Sequence, residues 1–250
     1  MLSIDSLEVR YGAAVVLRDL SLELEPGQVH GLMGRNGEGK TTLTDAVFGL
    51  VKLSAGRIHC RGISFRSCDV GYLQTHNFFY PKITGREYLR IFQSRHPAFD
   101  VDAWGAILEL PLDRLVERYS AGMQKKLALL GILSLDRPLL LLDEPFNGLD
   151  LESNHLLGRL LRMLAESGKT ILLTSHMLES LTRSCDRIHL LASGAVAGSY
   201  LPEEFERLDA LMLAGATGEK LDLAHRLLAH PDARHAAEPG VASSSGPRLR

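Results

Sequence analysis

Near the N-terminus apolar and polar positions alternate, over Ile4 to Arg10 and again where Leu20, Leu22 and Leu24 interleave with Ser21, Glu23 and Glu25. A period of two predicts strands with one buried face, and Pro26-Gly27 supplies the turn that ends the second of them. Val29 to Met33 is a short, mostly apolar run that feeds a glycine-rich stretch, after which Thr42 to Leu50 takes helical spacing. The order is strand, loop, helix. Between about His76 and Asp136 the helical spacing of Tyr88 to Gln93, Ala103 to Leu110 and Met123 to Leu133, with few β-branched residues, predicts a mostly helical inserted lobe. Continuous apolar runs return at Leu139 to Leu142, after Pro138, and at Ile171 to Thr174. Such runs belong to parallel strands covered on both faces. Between them Leu156, Leu157, Leu160, Leu161 and Leu164 stripe one side of a helix, and Gly168 suits its C-terminal cap.

Composition bounds what this pattern can be. With 250 residues, 45% hydrophobic and 23% charged, the chain reads as one large globular domain or two small ones. Twenty-eight basic against 30 acidic residues leave a formal net charge of -2 and a sequence pI near 6.6, so no global field draws nucleic acid or anionic lipid, and no nucleic-acid partner is expected. The longest apolar runs, such as Ala13 to Leu17 and Ala210 to Ala214, fall far short of the ~20 residues a membrane-crossing helix needs. The first residues show no basic stretch leading into an apolar one, which predicts no secretory signal. Cys60, Cys68 and Cys185 lack metal-ligand spacing and read as reduced thiols. The Ala-, Gly-, Ser- and Pro-rich stretch from Pro231 to Arg250 is expected to be disordered, and Leu208 to Leu213 and Leu221 to Leu228 to add short helices.

Chemistry concentrates at the predicted strand ends. Gly34-Arg35-Asn36-Gly37-Glu38-Gly39-Lys40-Thr41, followed by Thr42, satisfies the phosphate-loop spacing between a strand and a helix. Glycines let several backbone N–H groups face one polyphosphate, and the helix start adds its positive dipole end. Lys40 is placed to reach the β- and γ-phosphates, and the Thr41 hydroxyl to hold Mg²⁺, a cation that prefers oxygen. The strand Leu139 to Leu142 runs into Asp143-Glu144, two carboxylates that are costly beside an apolar run unless something uses them. Asp143 can hold Mg²⁺ through its water shell, and Glu144 can polarise a water for attack on the γ-phosphate. Gln74 and His176 likewise close strand-like segments, and Ser120 is placed to cap the helix that follows it.

Taken together these residues resemble the ATP-binding subunit of an ABC transporter over about the first 200 positions. The supporting set is the P-loop from Gly34 to Thr42, Gln74 as the Gln-loop residue, Ser120-Ala121-Gly122 as a signature, Asp143-Glu144-Pro145, Asn147-Gly-Leu-Asp150 as a D-loop, and His176 as a switch histidine. The resemblance implies an α/β P-loop NTPase over residues 1–200, with a mostly parallel core sheet, an N-terminal antiparallel β subdomain and a helical lobe at about 76–136. Residues 201–230 follow as a short extension. It implies ATP and Mg²⁺ as cofactors, with Thr41, Gln74 and Asp143 around the metal and Glu144, His176 and Lys40 as the catalytic groups. It also implies a head-to-tail pair of ATPase subunits, identical or different. In such a pair Ser120, Ala121 and Gly122 complete the partner's site, Tyr11 stacks on adenine and Asp150 lies at the dimer seam.

Departures from the family pattern are visible. Tyr119, Ala121 and Met123 replace three residues of the usual Leu-Ser-Gly-Gly-Gln, which predicts altered affinity rather than loss. Arg35 and Glu38 stand where Pro and Ala are more usual, and Glu38 brings a negative charge to the phosphate loop, to be turned to solvent or to a partner chain. With Gln74, Glu144 and His176 all present, hydrolysis is expected. The resemblance implies a separate membrane permease, met at the cytoplasmic face; Phe78-Phe-Tyr80-Pro81 reads either as an aromatic cluster facing it or as packing inside the lobe, and Phe146 together with the Ser120-Ala-Gly-Met-Gln-Lys-Lys variant leans toward export. The alternative is a soluble ABC ATPase of the iron-sulfur assembly type. A P-loop kinase leaves the signature and His176 unexplained.

Overall fold

The alternating N-terminal segments form β1 (Leu2–Tyr11) and β2 (Ala14–Leu24), an antiparallel pair that sets Leu2 opposite Leu24 and Ile4 opposite Leu22. In the computed structural model of the chain, residues 2–60, 63–64, 69–93 and 96–210 are described. Ser6 and Asp19 adopt left-handed backbone, with φ of 46° each, where the register shifts. Each absorbs an extra residue, so Leu7 and Leu17 return to the buried face. β4 (Ala55–Cys60) pairs with the other side of β1, and β5 (Ile63–Ser64) completes a sheet in the order β2-β1-β4-β5.

The second sheet has six strands in the order β10-β9-β3-β8-β7-β6. β6 (Val70–Leu73), β7 (Leu139–Leu142), β8 (Thr170–Ser175), β3 (Val29–Met33) and β9 (Arg187–Ala192) are parallel, and β10 (Ala195–Tyr200) returns antiparallel at the edge. Every residue of β3, β6 and β7 is buried, which is why these strands carry no alternation. Because they are parallel, the C-terminal ends of β3, β6, β7 and β8 open on one edge of the sheet, where ligands of open α/β sheets collect.

Helices cover this sheet. α1 (Lys40–Phe48) leaves the loop after β3 and is closed by Gly49, whose φ of 89° lets its N–H turn back to the carbonyls of Asp45 and Ala46. Leu43 and Val47 of α1 pack with Leu32, Leu141 and Leu172 of the parallel sheet and with the leucines of β1 and β2 in one core. The inserted lobe holds α2 (Gly85–Gln93), α3 (Val101–Ile107) and α4 (Ala121–Leu133). Phe79, Tyr88 and Phe92 tilt against one another there, with centroids 4.9 and 5.0 Å apart. α4 lies so close to β6 that a Cβ on Gly71 would come within 2.6 Å of Ile132 Cγ2. α5 (Leu151–Glu166) ends at Ser167 with Gly168 following at φ 96°, and α6 (Leu178–Thr182) is short. None of the described helices is long and apolar enough to cross a membrane.

The chain divides into one unit from Met1 to Phe205 and a second from Glu206 to Arg250. Of the second, residues 206–210 are described and are helical. The expected helix at Leu221 to Leu228, the tail from Pro231 and Cys68 lie outside the described residues.

Two buried histidines lock β3 to β9 and β10. His30 Nε2 donates to the Glu25 carbonyl (3.1 Å), His189 Nε2 donates to His30 Nδ1 (3.2 Å), and the Ser199 hydroxyl donates to His189 Nδ1 (2.7 Å). This arrangement requires both rings neutral. Burial pushes both below the ordinary histidine range, His189 to about 3. The unfolded chain therefore takes up protons near pH 6.5 that the folded pair refuses, so stability is complete above that pH and falls as pH drops toward 3. Between pH 7 and pH 5 His189 alone is expected to cost about 2 kcal/mol, seen as a lower urea midpoint. An unchanged midpoint over that interval would show that the pair accepts a proton in place.

Candidate nucleotide site

The loop after β3 closes on itself through glycine. Gly37 and Gly39 have φ of 89° and 101°, and a Cβ on Gly39 would meet Leu17 Cδ2 at 2.8 Å. Gly39 is the N-cap of α1, so the first helical N–H groups point into the bowl. Lys40 folds back across it, its ammonium donating to the carbonyls of Gly34 (2.8 Å) and Arg35 (3.3 Å). Lys40 is buried, and among the described residues its partners are carbonyls rather than a carboxylate. A buried cation so placed leaves positive potential for an anion.

Asp143, at the end of β7, has no exposed surface. Its Oδ2 accepts from the hydroxyls of Thr41 (2.8 Å) and Thr75 (2.5 Å), and its Oδ1 from that of Thr174 (2.5 Å). Glu144 follows in the left-handed region at φ 50°, an uncommon conformation for a residue with a Cβ. Its N–H donates to Thr174 Oγ1 (2.9 Å), and its carboxylate accepts from His176 Nδ1 at 3.0 Å. The twist of backbone turns the Glu144 side chain out of the strand and toward the loop beyond β8. Lys40, Thr41, Thr75, Glu144, Asn147 and His176 share the wall of an open cavity of about 380 Å³ with Val16, Asn36, Gly37, Gly39 and Thr42.

The remaining predicted residues fall around this cavity or away from it. Tyr11, half exposed, lies at the end of β1, outside the cavity wall. Gln74 is exposed and does not line the cavity, whereas its neighbour Thr75 does. Glu38 is half-buried, and its carboxylate accepts the N–H of Ser193 in the β9–β10 turn. Ser120 caps α4 by accepting from Met123 N (3.2 Å), and Ala121 is exposed beside it. Gly122 faces the D-loop, where a Cβ would come within 2.8 Å of the Gly148 carbonyl. Asp150 caps α5 through Ser153 N (2.8 Å), a bond that holds its carboxyl below the usual range. Tyr119 is buried, donates to the Pro111 carbonyl at 2.8 Å and sits over Gly85, so its bulk is housed in the helical lobe.

Sequence reasoning missed Thr75, Thr174 and Lys125. A threonine inside the apolar run Ile171 to Thr174 was the available signal for the second. The bond from Glu38 gives a prediction for the loop. Glu38→Ala is expected to raise the KM for ATP about three- to tenfold, less than the full worth of a charge-assisted hydrogen bond because the loss acts on the loop and not on the phosphates themselves, while Glu38→Gln, which keeps an acceptor, stays near the parent. Equal shifts for the two variants would mean that charge, not position, is what Glu38 contributes.

A glycine loop opening a helix at the strand ends of a parallel sheet, with a buried acid on the neighbouring strand, defines the P-loop nucleotide-binding class. The family model described as "ABC transporter" matches residues 17–147. Nod factor export ATP-binding protein I of Rhizobium leguminosarum bv. viciae is 32% identical over 240 residues, 90% of this chain and 76% of that protein. The ABC transporter ATP-binding protein YtrB of Bacillus subtilis (strain 168) is 32% identical over 206 residues, 77% and 70% of the two chains. Among solved structures, an ATP binding subunit of an ABC transporter superposes with a TM-score of 0.76 at 26% identity, covering 90% of this chain and 98% of that one. A dimeric ATP-binding cassette in a post-hydrolysis state with ADP and Pi superposes at 0.71 and 19% identity, over 81% and 99%, and shares the fold. The chain belongs to the ABC transporter family, as an ATP-binding subunit that hydrolyses ATP.

Proposed function

We propose that the chain uses MgATP, pairs head to tail with a second ATPase subunit and powers solute export through a separate membrane permease at the cytoplasmic face. The observation that carries the pairing is that Ser120 and Ala121 are exposed at the start of α4 and line no part of their own chain's phosphate cavity. An N-capped helix start with spare N–H groups serves an anion, and here that anion is held by another chain. Export rests on the relatives named for Nod factor export. A permease contact is supported by Phe78 and Tyr80, 74% and 58% exposed and packed edge to face at 5.3 Å. They border an open hollow of about 410 Å³ together with Pro81, Glu117 and Gln124.

The donor set fits Mg²⁺. Asp143 is a buried carboxylate whose three hydrogen-bond partners are neutral hydroxyls, and Thr41 adds an oxygen at the same point. Thr41 and Asp143 would hold the ion, which supplies positive charge to the β- and γ-phosphate oxygens. Lys40 exchanges its carbonyl partners for phosphate oxygens. His176 holds the Glu144 carboxylate in place through Nδ1, and the carboxylate takes a proton from the attacking water.

The test is an affinity pull-down of the tagged chain from detergent-solubilised membranes. Co-purification of a multi-span protein is the expected result, and recovery with soluble proteins alone would favour an assembly-type ATPase.

A further inference from the structure

β6 ends at Leu73, and two polar residues follow it, Gln74 and Thr75. Both lie beyond the end of the strand, Thr75 in a bend, so exposure and bonding decide which of the two meets the site. Gln74 is the exposed one. Thr75 faces inward, lines the phosphate cavity and donates to the same Asp143 oxygen that accepts from Thr41. Its main chain is held from the other side, since Lys125 Nζ donates to the Thr75 carbonyl at 3.2 Å. Lys125 is buried on α4, in the helix that begins at Ser120. A buried ammonium is costly unless it is bonded and its charge is met, and here the carboxylates of Asp143 and Glu144 supply the nearby opposite charge.

We propose that Thr75, in place of Gln74, is the residue through which the loop after β6 contacts the metal and terminal phosphate, and that Lys125 positions it from the helical lobe. The proposal rests on the MgATP reading of the cavity. A threonine hydroxyl is close to its own backbone, and its branched side chain has few rotamers. It cannot stretch to follow a displaced ligand as a glutamine can. The loop itself must be at the right distance, and the Lys125 bond sets that distance. A shift of α4 would therefore be felt at Thr75 with little slack between them.

The experiment is a titration of Mn²⁺ into the chain with a non-hydrolysable ATP analogue, followed by the electron paramagnetic resonance of free Mn²⁺. Analogue affinity in excess chelator and the thermal midpoint are measured in parallel. Thr75→Ala is expected to weaken Mn²⁺ binding about tenfold while chelator-state affinity and midpoint stay near the parent, and Thr75→Ser to restore it. Gln74→Ala is expected to change nothing. Lys125→Met should weaken Mn²⁺ in the same direction, by about threefold, with Lys125→Arg recovering part of it. A loss at Gln74→Ala with none at Thr75→Ala would overturn the assignment. If the parent binds neither analogue nor Mn²⁺, the MgATP reading itself falls, a result distinct from any pattern among the variants.

Discussion

Glu144→Gln is expected to leave ATP bound and to slow turnover by about 100-fold or more, some 2.7 kcal/mol in barrier. Glutamine has nearly the same shape, and its Oε1 can still accept from His176 Nδ1, the bond seen at 3.0 Å. What it loses is the ability to take a proton from water. Binding is then separated from release, and an ATP-bound dimer should accumulate. Single-turnover hydrolysis and size-exclusion chromatography with ATP read both effects. Turnover at the parental rate would remove Glu144 from the reaction.

Lys40→Ala is expected to lower ATP affinity about ten- to a hundredfold, the range for losing a charge-assisted hydrogen bond. The ammonium braces the loop on the carbonyls of Gly34 and Arg35, so the substitution removes both the cation and the brace. Calorimetric titration of the folded variant measures the loss. Because Glu38 anchors the loop independently to Ser193, a folded loop without its lysine is a realistic state to measure. Unchanged affinity would place the phosphates elsewhere.

Which parts of this chain could be read in advance follows from how each part is buried. Leu139 to Leu142 was legible to the residue because total burial writes a continuous apolar run, and Val29 to Met33 because a mostly apolar run leads straight into the phosphate loop. The first half of β2 was not, since the left-handed Asp19 breaks the alternation between Leu17 and Leu20. β4 escaped because half of its residues are exposed and its pairing with β1 is carried by backbone bonds that no side-chain pattern reports. The phosphate loop and Asp143-Glu144 were legible by spacing. That Thr75 and not Gln74 lines the cavity was not, because both follow the end of β6, where no strand period fixes which way a side chain faces. The partner of Glu38 lies 155 positions away, beyond any local signal.

Glu144 has one consequence for how such a chain can change over generations. Its left-handed backbone costs about 1 kcal/mol in any residue with a Cβ, and glycine would sit there without that cost. Against that cost folding sets only the bond the carboxylate accepts from His176. A descendant that exchanged it for glycine would be released from the strain as it lost the proposed base, so a silent, well-folded copy lies a single substitution away.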